Sequence, residues 1–127
     1  MGLNGTMDEN ADITEKVIGC AYTLANTLGT GFLEKVYENA LEIELRKAEL
    51  RATQQHPIPV LHDGETVGDF YADLLVEEKV IVELKATKAF EDVHMAQVLN
   101  YLKATGLRTG LLLNFGTPKV QVKRVSL

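Results

Sequence analysis

One cysteine, Cys20, stands among 127 residues, and tryptophan is absent. A lone thiol cannot form an internal disulfide, so a reducing cytoplasm is the expected compartment. Cys20 and the three histidines, His56, His62 and His94, show none of the paired spacings of a zinc site. No apolar run approaches the roughly 18 residues that cross a bilayer, which argues against a helical membrane span. The opening MGLNGTMDENAD lacks the basic flank and apolar stretch of a secretory signal. Positive charge is also short, with 13 Lys and Arg against 18 Asp and Glu and a formal net charge of −5. A protein that coats nucleic acid is normally basic, so that class is disfavoured. An enzyme that acts on nucleic acid is not excluded, because carboxylates gathered around a cation deepen the formal count.

What is present is the composition of an ordinary globular protein, 46% hydrophobic and 24% charged. The length suits one domain around one core. There is no repeat, low-complexity tract or linker. Residues 1–11, with Gly2, Asn4, Gly5 and Asn10, read as a loose tail, and 12–127 as the domain. Ile13, Val17, Cys20, Leu24 and Leu28 recur at helical spacing, with Asp12 or Thr14 available to cap. LGTG then breaks that helix, and a second follows over about Leu33 to Lys47.

Strands come next. Residues 53–61 contain Pro57 and Pro59, which cannot donate to a ladder and so predict a sheet edge. HDGE is a hairpin turn, and 66–76 and 80–85 make a second hairpin around EEK. The apolar run of VIVEL suggests a central strand. A third helix spans about Glu91 to Thr105, and strands at 110–115 and 119–125 close the chain. The order is ααβββαββ, an α/β (α+β) mixed sheet with helices packed on it.

VIVELKATK raises the question of function, because it places Glu83 and Lys85 on one face of a strand that hydrophobic residues would stabilise better. Asp73 lies on the preceding strand. A three-residue loop at Glu77, Glu78 and Lys79 pairs Val76 with Val80 and sets Asp73 opposite Glu83. A two-residue loop sends the two acids to opposite faces. Facing carboxylates cost a hairpin roughly 0.2–1 kcal/mol, and a divalent cation between them removes that cost. Oxygen ligands without Cys or His point to a hard ion, Mg²⁺ or Mn²⁺. Taken alone, ELK is an ordinary surface Glu–Lys pair. Glu34, in the first turn of the second helix, is equally an acid favoured by the helix dipole. Gln97 and Tyr101 are i, i+4 neighbours on the third helix, with His94 one turn earlier.

GTGFLEKVYENAL contains G-x-x-E-x-x-Y at Gly31, Glu34 and Tyr37, and YADLL, VIVELKA and HMAQVLNYL follow in order. From about Ile13 onward this set resembles the GxxExxY proteins of bacteria and archaea, placed within the PD-(D/E)xK nuclease superfamily. The resemblance implies a restriction-endonuclease-like core and Mg²⁺-dependent hydrolysis of phosphodiester bonds, with nucleic acid, DNA first, as the partner. It implies Asp73, Glu83 and Lys85 as the motif residues and Glu34 as the helix-borne acid. Metal ligands would be Glu34, Asp73, Glu83 and the backbone carbonyl of Leu84. Gln97 and Tyr101 match the Q-x-x-x-Y element beside such sites, and Tyr37 and Lys88 join them as supporting or substrate contacts. Ala72 stands where the motif name has proline.

Two other readings compete. One is a non-catalytic binding or assembly module on the same fold, which the acidic balance accommodates. The other is a hydrolase of a small phosphoester, which would need base-stacking aromatics, whereas Phe70, Tyr71 and Phe90 all read as core. A lone small nuclease domain often works as a homodimer, since cutting two strands needs two sites, and the sequence leaves that open here. Lys119, Lys123 and Arg124 form a basic group near the end of the chain.

Overall fold

The structure is a computed structural model and describes residues 10–127. The elements follow the expected order: α1 (Ala11–Leu28), α2 (Glu34–Lys47), β1 (Ala52–His62), β2 (Glu65–Val76), β3 (Val80–Lys85), α3 (Asp92–Thr105), β4 (Thr109–Asn114) and β5 (Gln121–Ser126). The tail expected over 1–11 lies outside the described residues except for Asn10 and Ala11, which start α1. Neither Asp12 nor Thr14 caps that helix. Its N-cap is Asn10, and the Thr14 hydroxyl instead donates to the Ala11 carbonyl.

The five strands lie in the order β1-β2-β3-β4-β5. All neighbours are antiparallel except β3 and β4, whose parallel pairing needs a crossover that α3 supplies. β1 is an edge strand, as Pro57 and Pro59 require. β3 is the central strand, and every residue from Val80 to Leu84 is buried. One face of the sheet carries Leu74, Val76, Val82, Leu84, Leu111 and Leu113 against Val17, Ala21 and Leu24 of α1 and Tyr37, Leu41 and Leu45 of α2. The other face packs Ile58, Ala72, Leu75, Ile81 and Leu112 against Val98, Tyr101 and Leu102 of α3. Each such side chain, fully buried, contributes about 1.5–3 kcal/mol. Gly110 lets α3 settle close to β4, since a Cβ there would lie 2.6 Å from Val98 Cγ1.

Two irregularities shape the faces of the β1–β2 hairpin. The first is a slip in alternation: Leu75 and Ala72 both belong to the α3 side, although strict alternation would separate residues three apart. It occurs at Asp73, opposite Gln55, which holds a left-handed backbone at φ 53°. The second is a register shift between Val60 and Leu61, a bulge of the kind that bends a strand and re-aims its side chains.

Candidate active site at the break in the sheet

The turn after Val76 has three residues: Val76 pairs with Val80, Leu75 with Ile81 and Leu74 with Val82. Glu77 and Glu78 both take left-handed backbone to make it, at φ 52° and 56°. That register carries Asp73 opposite Glu83. There the backbone ladder ends and the two carboxylates take over. The Asp73 N–H donates to Glu83 Oε2 at 2.6 Å, and the Leu84 N–H donates to Asp73 Oδ2 at 2.9 Å. The N–H and C=O of one strand residue point to the same side, so the Leu84 carbonyl also faces β2 and this pair.

Electrostatics match that geometry. Burial raises the Glu83 carboxyl, and the charge of Asp73 raises it further, so that it is pushed up to about 8. Lys85, on the same face, opposes this, but forms no ion pair within 4.0 Å among the described residues. Asp73 is also raised, first by burial and then by the charges of Glu38 and Glu34. Two acids are thus held together with less positive charge than their ionised forms need.

The helix-borne acid differs from the expectation. Glu34 is exposed and reaches Asp73 only through its charge. Glu38, one turn later, is buried at 4% exposure. Its carboxylate accepts from Gln54 Nε2 at 2.7 Å, Gln55 Nε2 at 2.9 Å and Lys35 Nζ at 3.0 Å. The same Gln55 amide donates to Asp73 Oδ1 at 3.4 Å, which links Glu38 to the site. Sequence reasoning missed both residues. The available signal was that Glu38 stands i+4 from Glu34 and so shares its side of the helix.

Of the other expected residues, Tyr101 is buried beside the pair. Burial and then the charge of Glu83 raise its phenol. Gln97 Nε2 donates to the Tyr101 hydroxyl at 3.1 Å. Lys88 is exposed in the loop after β3. Tyr37 lies in the core: its ring stacks on Phe115 at 4.8 Å, and its hydroxyl donates to the Gly29 carbonyl at 2.6 Å and accepts from the Phe32 N–H at 3.3 Å. Its observed contacts therefore brace the loop before α2. His94 completes a capping box with Glu91 at the start of α3. Phe70 and Tyr71 are not core, being 47% and 52% exposed, whereas Phe90 packs partly buried against the α3-side core. In the basic group, Lys119, Lys123 and Arg124 are exposed, and Arg124 also hydrogen-bonds the Thr14 hydroxyl.

A buried asparagine fixes the loop that leaves the site. Asn114 Oδ1 accepts from the Thr87 and Gly116 N–H groups, at 3.0 and 2.9 Å. Its amide donates to the Thr87 carbonyl at 3.0 Å and Gln121 Oε1 at 2.9 Å. Gly116 is required there, because a Cβ would fall 2.1 Å from the Thr87 carbonyl oxygen.

The model of the PD-(D/E)XK nuclease superfamily matches residues 11–125, from the first helix to the last strand. The chain belongs to that superfamily. A solved structure, that of SSO0001, shares the fold with a TM-score of 0.57 at 17% identity. The match covers 92% of this chain and 59% of that one, so the chain spans about three fifths of that neighbour's length. No curated protein matches significantly. The superfamily's mixed sheet with flanking helices is the architecture seen in this chain, and its nucleases use divalent metal ions and act on nucleic acid. Among the described residues no helix is long and apolar enough to cross a membrane.

The residues fit a hard divalent cation of the sparsely ligated kind. No group of three acidic, histidine or cysteine side chains converges as a full ligand set among the described residues. Mg²⁺ does not need one, since it is usually held by one or two carboxylates together with waters and substrate phosphates. Asp73, Glu83 and the Leu84 carbonyl could supply such a set, all of it oxygen.

Proposed function

We propose that this protein hydrolyses phosphodiester bonds in nucleic acid, with Mg²⁺ or Mn²⁺ held by Asp73, Glu83 and the Leu84 carbonyl, and that it belongs to the GxxExxY branch of its superfamily. The observation that carries this reading is the meeting of Asp73 and Glu83 where the β2–β3 ladder ends, both carboxyls raised by burial and by neighbouring negative charge. A divalent cation held by these oxygens would supply Lewis-acid chemistry, polarising a scissile phosphate and lowering the pKa of a water. Lys85 offsets the negative charge that grows on the phosphate oxygens. Gln97 and Tyr101 orient a phosphate oxygen or the Lys85 amine, and Lys88 meets a flanking phosphate. Glu34 adds negative potential at the mouth and can ligate through water. DNA is the expected polymer.

The test is cleavage of single- and double-stranded DNA and RNA with Mg²⁺, Mn²⁺ or chelator. Asp73→Ala and Glu83→Ala each reduce the rate about 100-fold or more, and Lys85→Ala does so to a similar degree. Cleavage that survives both acid substitutions would show that the chemistry lies elsewhere. The exposed position of Glu34 favours a second reading, a non-catalytic binding module on the same fold. It predicts that Mg²⁺ binds the native chain no more tightly than it binds Asp73→Ala.

A further inference from the structure

A groove of about 740 Å³ runs between the outer half of the β1–β2 hairpin and α3, walled by Pro59, Leu61, Phe70, Val93, Gln97 and Tyr101. Its volume is in the range of small-ligand sites, about 300–1,000 Å³. The register shift between Val60 and Leu61, where Val67 of β2 is the extra residue, falls at this end of the hairpin. We propose that this groove receives an unpaired nucleobase from the strand whose phosphate lies at Asp73 and Glu83, so that the substrate is single-stranded nucleic acid. The phosphate end of this proposal rests on the nuclease function proposed for the acid pair; the base-binding end does not.

Four observations point the same way. First, groove and acids are near neighbours. Tyr101 and Gln97 line the groove, and Tyr101 packs in the same cluster as Ala72, the residue before Asp73. Phe70 lies three residues before Asp73 on β2, about 10 Å along an extended strand, a reach that one nucleotide and its neighbour cover. Second, the walls are apolar yet left in water: Phe70 is 47% exposed, Leu61 61% and Val93 64%. Phe70 and Tyr101 stand 6.0 Å apart with their rings tilted by 46°, which leaves the Phe70 ring available for stacking. Third, the polar groups suit a base edge. The Gln97 amide nitrogen is engaged by Tyr101, while its carbonyl oxygen takes no other hydrogen bond among the described residues. That oxygen can accept from a ring or exocyclic N–H.

Fourth, the local charge disfavours the usual alternative. The groove is lined by a single cation, Lys103, too few for a long phosphate track beside it. Stacking does not depend on net charge, and it gives single-strand binders much of their affinity. A base inside a duplex cannot enter such a groove without leaving the helix stack.

The test measures fluorescence anisotropy of a labelled single strand of about 10 nucleotides, within the usual site sizes. It is run in chelator and in an Asp73→Asn background, so that binding is read whether or not the protein cuts. The single strand binds at least about tenfold more tightly than a duplex of the same sequence or an abasic strand of the same length. Phe70→Ala weakens single-strand binding about 5- to 150-fold, the range expected for one stacked base. Phe70→Trp retains it, and Val93→Glu, on the opposite wall, weakens it. Should Phe70→Ala fail to fold, Phe70→Trp and Val93→Glu decide the matter. Equal binding of duplex, or of the abasic strand, would overturn the proposal. So would a Phe70→Ala variant that binds as before, or one whose only change is loss of a dimer in sedimentation, which would make the groove a contact between copies. Failure to cleave any polymer, with these binding differences intact, would remove the nuclease reading and leave the base site.

Discussion

Glu83 keeps its proton in the folded chain at a pH where an ordinary carboxyl has lost it, because water is excluded and Asp73 sits opposite. An acid raised from 4.5 to about 8 favours the folded state fully below its ordinary value, and that contribution is lost as pH rises towards 8. In chelator the melting temperature therefore falls between pH 5 and pH 8. Glu83→Gln flattens that fall, and Mg²⁺ at pH 8 reverses it; a pH series of thermal melts followed by circular dichroism checks all three. Tyr37 offers a contrast at the same scale. Tyr37→Phe removes two hydrogen bonds but keeps the stack on Phe115. It costs about 1 kcal/mol in urea denaturation with unchanged slope and leaves Mg²⁺ affinity as it was. Such distinctions were only partly legible. Alternation gave the face of Glu83 and Lys85, but helical spacing gives a direction and not a depth. It could not tell exposed Glu34 from buried Glu38, nor a bracing Tyr37 from a substrate contact.

Among the elements, the order of helices and strands was readable because each carries its own period and its own stop signal. The EEK turn allowed two registers, and the one with three turn residues is observed. What could not be read was the behaviour of long hairpins. The slip at Asp73 has no Gly or Pro beside it, and Pro59 and Gly68 next to the bulge announce an edge strand and a turn as readily as a bulge, so Phe70 and Tyr71 read as core when both are exposed. The junction of β4 with the loop after β3 depends equally on long-range packing. Asn114 and Gly116 hold Thr87 from a distance of nearly thirty positions in the chain. Gly116→Ala drives a Cβ into the Thr87 backbone. It costs about 1–3 kcal/mol and moves the loop that carries Lys88, which hydrogen exchange of residues 86–91 would register as faster opening.

For the whole molecule, the balance of charge sets how it meets a polyanion. Each phosphate neutralised on a single strand contributes about −0.7 to the slope of log K against log salt. With so few cations beside the groove, the slope should lie between about −1 and −2, as read by anisotropy across a salt series. A slope steeper than about −4 would demand more cations than the single lysine, Lys103, that lines the groove. The two prolines of β1 also limit assembly, because that edge cannot add another strand in regular pairing and a second copy must join elsewhere. The gap at Asp73 and Glu83 has a last consequence. Valine at both positions would let the hairpin zip shut through its full length, and the result should be a sturdier protein than the native one. On the proposed function, stability and catalysis pull against each other there, since a closed weave would leave a cation nowhere to sit.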